Sequence, residues 1–349
     1  MRRVAEARLE GHPDKVCDQI ADAIVDEFLR RDPESLVDLR VLGSHGMLVV
    51  SGEISSRADF DVAALARAVY ADIGYADEVE VFVNVDHPSS EMARVRGATD
   101  AVIVQGYATK ETRELLPKPL VYARLLAKRL EDMRKSDPAF SWLKPDGKVQ
   151  VVMEKEHVVA MTILAAHAPD IDAKDVQTAL LEHLAGFLLN KEPSQIFINP
   201  AGPFTISGFL ADAGVSGYAA ASDTYGGLIP HGDKPFCGKD PRKAERAGLY
   251  VSRAAARFLV EQEMAVSAAV TVAYTLNRAE PLFVEARGIG EKSRGAKMDL
   301  TSLVKRAFDF RPEAIVERFD LAKPMYRNLS VHGPFGREDA PWECPAKKE

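Results

Sequence analysis

Asp223-Thr224-Tyr225-Gly226-Gly227-Leu228-Ile229-Pro230-His231-Gly232-Asp233-Lys234-Pro235-Phe236-Cys237-Gly238-Lys239-Asp240-Pro241-Arg242-Lys243-Ala244-Glu245-Arg246 reads as a loop that runs into a helix. Its glycines and prolines break any regular pattern as far as Phe236. From Ala244 the spacing predicts a helix, with Ala247, Gly248, Val251, Ala255, Phe258 and Leu259 on one face. Asp240 and Pro241 make a suitable N-cap and first-turn pair. Lys239 and Lys243 would then flank a helix N-terminus, where backbone N–H groups favour an anion. A polyphosphate cradle fits this pattern. A surface loop leading into a basic first turn fits it equally well.

The 349 residues suggest two or three domains or one interleaved unit. Hydrophobic residues at 46% and charged residues at 28% are ordinary for a globular protein with ample core. The net charge of -7 argues against nucleic acid or an anionic membrane as partner. A polyanion would have to be met by a local cluster. Cys17, Cys237 and Cys344 are far apart and form no CxxC pair, so neither a disulfide framework nor a zinc site is indicated. The opening Met-Arg-Arg-Val-Ala-Glu lacks an apolar leader segment, and no 18-residue apolar run exists. A cytoplasmic location is expected.

His12-Pro13-Asp14-Lys15 opens a helix with Val16, Ile20, Ile24 and Phe28 on its apolar face. Asp14 would ordinarily pair with the helix dipole. With Glu10-Gly11-His12 before it, a sharper reading has His12 donating to an anion and Asp14 holding Mg²⁺. Strands are expected at 39–50 and 79–85, with a helix at 61–72 between them and a boundary at 88–97. A buried strand from Ala101 to Tyr107 and a helix at 119–135 follow. Lys144-Pro145-Asp146-Gly147-Lys148 reads as a tight turn. Strands at 149–154, 157–166 and 196–198, with a helix at 173–189, complete a middle unit. Asp212 to Gly217 is a second glycine-rich turn. Strands at 266–274 and 281–286 and helices at 299–309 and 312–320 lead to a weakly periodic tail. No internal repeat, Rossmann fingerprint or Walker A loop is visible.

Several fragments converge in order: Glu10 to Lys15, Gly52-Glu53-Ile54, Gly106-Tyr107-Ala108-Thr109, Pro145-Asp146-Gly147-Lys148, Asp223 to Gly227, and Gly238-Lys239-Asp240-Pro241 with Lys243. Phe335-Gly336-Arg337-Glu338-Asp339 and Pro341-Trp342-Glu343 close the series. Together they closely resemble the methionine adenosyltransferase (S-adenosylmethionine synthetase) family over nearly the whole chain. The resemblance implies an α+β fold of three similar units about a pseudo-threefold axis, here 1–90, 97–206 and 207–349. It implies a homodimer, with a tetramer as the alternative, whose active sites lie at the subunit interface. The implied reaction joins methionine sulfur to C5′ of ATP, after which triphosphate is hydrolysed to pyrophosphate and phosphate.

The resemblance assigns roles by position. His12, Lys148 and Lys239 are catalytic. His12, Asp146, Lys148, Phe204, Asp212 and Lys239 bind ATP, with Phe204 stacking on adenine. Glu53, Asp100, Asp212 and Lys243 bind methionine. Asp14 is a Mg²⁺ ligand, and Glu245, where the family has aspartate, is another. The departures are equally specific. Tyr218 and Ala219 replace an Arg-Lys pair that grips triphosphate, and Pro203 replaces a basic residue. Each charge-assisted phosphate contact contributes about 1.5–3 kcal/mol, so an uncompensated loss would be crippling. Lys234 is a candidate replacement charge. Arg40 occupies the acidic position of the K⁺ site, which makes K⁺ dependence doubtful. A methionine-contacting glutamine falls near His87. The alternatives are a homologue using another thioether amino acid or nucleotide, and a non-catalytic nucleotide-binding relative.

Overall fold

The computed structural model describes residues 2–92, 95, 97–185, 195–290 and 299–344. The first segment comprises β1 (Arg2–Arg8), α1 (Pro13–Arg31), β2 (Leu36–Ser44), β3 (Met47–Ser55), α2 (Val62–Ile73) and β4 (Glu80–Asp86). The second repeats that order as β5 (Val102–Thr109), α3 (Lys118–Ser136), β6 (Leu143–Glu154), β7 (His157–His167), α4 (Ala173–Ala185) and β8 (Gln195–Ile198). The third has β9 (Gly214–Val215), α5 (Ala220–Tyr225), α6 (Ala244–Glu261), β10 (Ser267–Tyr274), β11 (Phe283–Ile289) and α7 (Leu300–Ala307). Two more helices, α8 (Pro312–Phe319) and α9 (Tyr326–His332), complete it.

The sheets do not follow the segments. Their orders are β1-β6-β7-β8, β11-β10-β5 and β4-β3-β2-β9. Each segment therefore gives its first strand to the hairpin of another: β1 to β6, β5 to β10 and β9 to β2, all antiparallel. In the first two segments the hairpin then pairs in parallel with the last strand, β3 with β4 and β7 with β8. The repetition that the sequence hides is thus a threefold cyclic exchange of strands.

Local chemistry explains the main elements. Pro13 occupies the first turn of α1, as the sequence suggests, and His12 caps the helix. Val16, Ile20, Ile24 and Phe28 are buried. The opposite side of α1 carries Asp14, Asp18, Asp22 and Asp26, four residues apart and so in one row. Each accepts from distant backbone. Asp14 takes the Val215 N–H at 3.0 Å, Asp18 that of Gly217 at 2.6 Å and Asp22 that of Gly238 at 2.8 Å. Asp26 takes those of Met325, Tyr326 and Arg327 at 2.8–2.9 Å. This row fastens the third segment to α1. Gly214 is required beside it, because an added Cβ would lie 2.2 Å from the Pro13 carbonyl oxygen.

The structure corrects several expectations. Residues 39–50 are not one strand: the chain turns at His45 and Gly46, both at positive φ, the geometry that a two-residue hairpin favours. Lys144 to Lys148 is not a tight turn but part of β6, which carries a register shift between Leu143 and Gly147. Asp240 does not cap a helix. Its carboxylate accepts from the N–H groups of Val37 and Arg242, both at 2.8 Å, and α6 begins at Ala244 after Lys243. The loop before α6 spans two sheet edges. Gly232 bridges to Val104 of β5, and Lys239 to Asp38 of β2. The end of the expected 173–189 helix lies outside the described residues.

Asp22 and Arg246 form a fully buried ion pair at 2.5 Å. Removing one partner leaves an uncompensated interior charge. Asp22→Ala is expected to lower unfolding free energy by about 3–5 kcal/mol. Urea unfolding followed by circular dichroism checks this, and a loss below about 1 kcal/mol would show that the row is not a main fastening.

Candidate active site

Two groups of charged side chains gather the candidate residues. The first lies at the mouth of α1. In the β1–β6 ladder Arg8 stands directly opposite Lys148. Lys148 Nζ is 3.3 Å from Glu6 Oε1. The His12 imidazole closes the mouth, its Nδ1 accepting from the Asp14 N–H at 3.3 Å. With Nδ1 an acceptor, the ring proton belongs on Nε2. Burial first, then the charges of Arg8, Lys148 and Lys15, push the His12 pKa down to about 3. His12 is therefore a neutral donor at physiological pH.

Behind this mouth, Asp146 is buried on the same strand as Lys148. Its Oδ2 accepts from the Gly208 N–H at 2.8 Å. Burial pushes its pKa up to about 6, against the Gly208 and Gly147 N–H groups and with help from nearby Asp212. Asp212 is exposed and accepts from the Ala213 N–H at 2.8 Å. Phe204 is half-buried. Its backbone exchanges hydrogen bonds with His167, donating to Nε2 at 3.1 Å and accepting from the His167 N–H at 2.9 Å. Glu10 does not face this site as a reactant: it is buried and ion-paired with Arg134 and Lys135.

The second group lies along the edge of β2. Lys239 is buried in an ion pair with Glu245, whose Oε2 is buried without a hydrogen-bond partner. Lys243 Nζ is 3.5 Å from Asp38 Oδ2, and Arg40 Nη1 is 2.7 Å from Asp38 Oδ1. Glu53 lies opposite Asp38 in the β2–β3 ladder and is exposed. Asp100 is ion-paired with Lys234. Its own burial opposes ionisation, but Lys234, the Ala101 N–H and nearby Lys239 hold its carboxyl below the usual range. Lys234, the candidate replacement charge, is paired with Asp100. His87 Nδ1 lies 3.0 Å from the Ile54 carbonyl oxygen. No hydrogen bond or ion pair among the described residues joins the two groups.

Mg²⁺ takes one or two carboxylates and completes its shell with phosphate oxygens and water. The donors fit that pattern. Asp14 keeps Oδ2 out of hydrogen-bond range of Arg8, at 3.7 Å, and Glu245 has its orphaned Oε2. The described residues contain no cluster of three or more metal-ligating side chains that would hold a metal without substrate. Sequence reasoning missed Arg8, Glu6 and Asp38. Glu6 and Arg8 share a face of β1, and a charged pair at strand period was the only signal available.

The strand order and the three segments define an α+β protein of three interlocked units. The family model for the S-adenosylmethionine synthetase N-terminal domain matches residues 3–93, the central-domain model 95–204 and the C-terminal-domain model 206–344. The S-adenosylmethionine synthase of Sorangium cellulosum (strain So ce56) is 37% identical over 373 residues, covering 98% of this chain and 88% of the relative. That of Aquifex aeolicus (strain VF5) is 37% identical over 369 residues, covering 99% and 97%. That of Petrotoga mobilis (strain DSM 10674 / SJ95) is 35% identical over 385 residues, covering 97% and 95%. The chain belongs to the S-adenosylmethionine synthetase family and has its three-unit α+β fold.

The neutral state of His12 has a measurable consequence. Its folded pKa lies below the unfolded value, so below about 6.5 the unfolded chain takes up a proton that the folded chain refuses. Its stability contribution is therefore lost progressively as pH falls from about 6.5 towards 3. His12→Gln is expected to flatten urea stability over that window, and nitrogen-15 spectra of the wild type should show a neutral His12 ring at pH 5. A His12 titration near pH 6.5 would contradict this.

Proposed function

We propose that this chain makes S-adenosylmethionine from ATP and methionine, by attack of the methionine sulfur on C5′ of ATP. The triphosphate released is then hydrolysed to pyrophosphate and phosphate. The observation that carries the reading is the convergence of neutral His12, Asp14 and Lys148 at one helix mouth. A thioether is already nucleophilic, so no strong base is needed. The demand is in-line positioning and stabilisation of a polyanionic leaving group. His12 Nε2–H donates to the departing oxygen, and Lys148 supplies charge beside it. Asp146, Asp212 and Phe204 take the nucleoside. Lys239, Lys243, Glu53 and Asp100 take phosphate and amino acid from the second group. Mg²⁺ at Asp14, with a further ion at Glu245, would neutralise phosphate charge when bound.

Among the described residues no side-chain hydrogen bond or ion pair joins the two groups directly, which supports a homodimer whose sites draw on both subunits. Apolar side chains left open on β4, β5 and β11 support the same assembly: Phe82 is 46% exposed, Ile103 50% and Phe283 47%. We take the units as 1–90, 97–206 and 207–349. No described helix is long and apolar enough to cross a membrane. A cytoplasmic setting accords with the ordinary composition. Arg40 holds Asp38 with a tethered cation, and we infer that it does the work of a bound K⁺. Tyr218 and Ala219 favour a second reading, in which another thioether amino acid or nucleotide is used.

Incubation with ATP, Mg²⁺ and methionine, with products identified by mass spectrometry, tests the reading. S-adenosylmethionine with pyrophosphate and phosphate is expected. Turnover only with another substrate pair would select the second reading. Lys148→Ala is expected to cut kcat by about a hundredfold or more. Activity in K⁺-free buffer should not rise on adding K⁺, and a strong rise would overturn the role given to Arg40.

A further inference from the structure

The cation opposite Lys148 has no sufficient partner inside the protein. Like charges directly opposed in an antiparallel pair destabilise it, yet Arg8 and Lys148 take those positions. The Arg8 guanidinium is largely buried, with its side chain 15% exposed. Its one good hydrogen bond is from Nη1 to Ser222 Oγ, at 2.8 Å. A second, to the Tyr218 carbonyl oxygen, is stretched to 3.4 Å. Arg8 Nε is buried with no partner at all. The two nearest carboxylates stand off, Asp14 at 3.7 Å and Glu6 at 3.9 Å. Beside the guanidinium opens a cleft of about 300 Å³, lined by Glu6, Arg8, Gln150, Tyr218 and Ser222 among others.

An under-bonded guanidinium on an open cleft, next to a second cation and a neutral histidine donor, is arranged for an oxyanion that is multiply charged. Tyr218, on the cleft wall, and the buried Ala219 beside it bring no charge of their own. We propose that Arg8 is a principal grip on the polyphosphate chain of the nucleotide, working with Lys148 across the β1–β6 ladder. The charge that the segment at 218–219 lacks is thereby supplied from a different strand. This assignment rests on reading the α1 mouth as the phosphate end of the site.

The test uses the whole protein and inorganic tripolyphosphate with Mg²⁺ as probe. Calorimetric titration of Arg8→Ala and Arg8→Gln is expected to show affinity about tenfold to a hundredfold weaker than wild type. Arg8→Lys should recover most of the loss. Melting curves confirm that the variants are folded. A further measurement needs no variant. Phenylglyoxal modifies accessible arginines, and peptide mass spectrometry should find Arg8 protected by tripolyphosphate in the wild type. Unchanged affinity in Arg8→Gln, or equal Arg8 labelling with and without tripolyphosphate, would overturn the proposal. The outcome is separable from the activity assay. If the wild type forms no S-adenosylmethionine yet Arg8 is protected, the reaction assigned above fails and the polyphosphate grip stands. If product forms and Arg8 is unprotected, the reverse holds.

Discussion

The row of aspartates along α1 is the constraint on which the rest of the structure depends. Four carboxylates at one-turn spacing reach backbone N–H groups of β9, of the turn that follows it, of the loop before α6 and of the start of α9. Those segments have little regular structure of their own to hold them. Carboxylates in the interior are expensive, and two of them show it. Burial pushes Asp18 up to about 7 and Asp22 up to about 6, although Lys15 and Arg246 oppose the shifts. The folded state then keeps protons that the unfolded chain releases, so the stability these two groups contribute declines as pH rises through their folded values. The fold accepts that cost because the same row fixes Val215 and Gly238. The first belongs to the strand that closes a sheet, and the second precedes the buried Lys239.

Position, more than strength, is what these contacts secure. Lys239 does not sit at a helix N-terminus awaiting an anion. It is held on the edge of β2 by pairing with Asp38, and Asp22 anchors its neighbour Gly238. Its amine is buried against Glu245, so the pair is a rigid element rather than a mobile surface charge. At the other end of the row, Asp14 is tethered by Val215 while leaving Oδ2 short of hydrogen-bond contact with Arg8 and His12. One helix thereby locates members of both charge groups.

Much of this was legible in the sequence, and the boundary is physical. The apolar faces of α1 and α6 follow helical spacing, and the β6–β7 hairpin declares itself by its strand runs. Pro13 in the first turn of α1 is a local signal, and local signals survive into the structure. The ordered motifs carried the three-unit fold. The exchange of strands was not visible, because the partner of β1 lies beyond the whole second segment's first helix and the donated β9 is two residues long. Asp18, Asp22 and Asp26 are an ordinary solvated face by their spacing alone. Only the presence of a third segment over them makes them interior. The tail around Trp342 shows weak periodicity because polar anchors secure it: Glu343 accepts from Arg253 at 2.7 and 2.9 Å and from Arg257 at 2.6 Å, while the indole stacks on Tyr250 at 3.7 Å.

The cyclic exchange of first strands also bears on how the chain leaves the ribosome. The first segment cannot finish its sheet when it emerges, because the strand that closes it belongs to the third. The β2–β3 hairpin waits for β9, and β1 waits for β6, with their edges unpaired in the interval. At ordinary elongation rates of about 5–20 residues per second, the first of these waits lasts on the order of ten seconds. Open edges of this kind recruit other strands, including those of neighbouring nascent chains. Charged side chains on an open edge, such as Arg40 on β2, oppose that kind of pairing until the proper partner arrives.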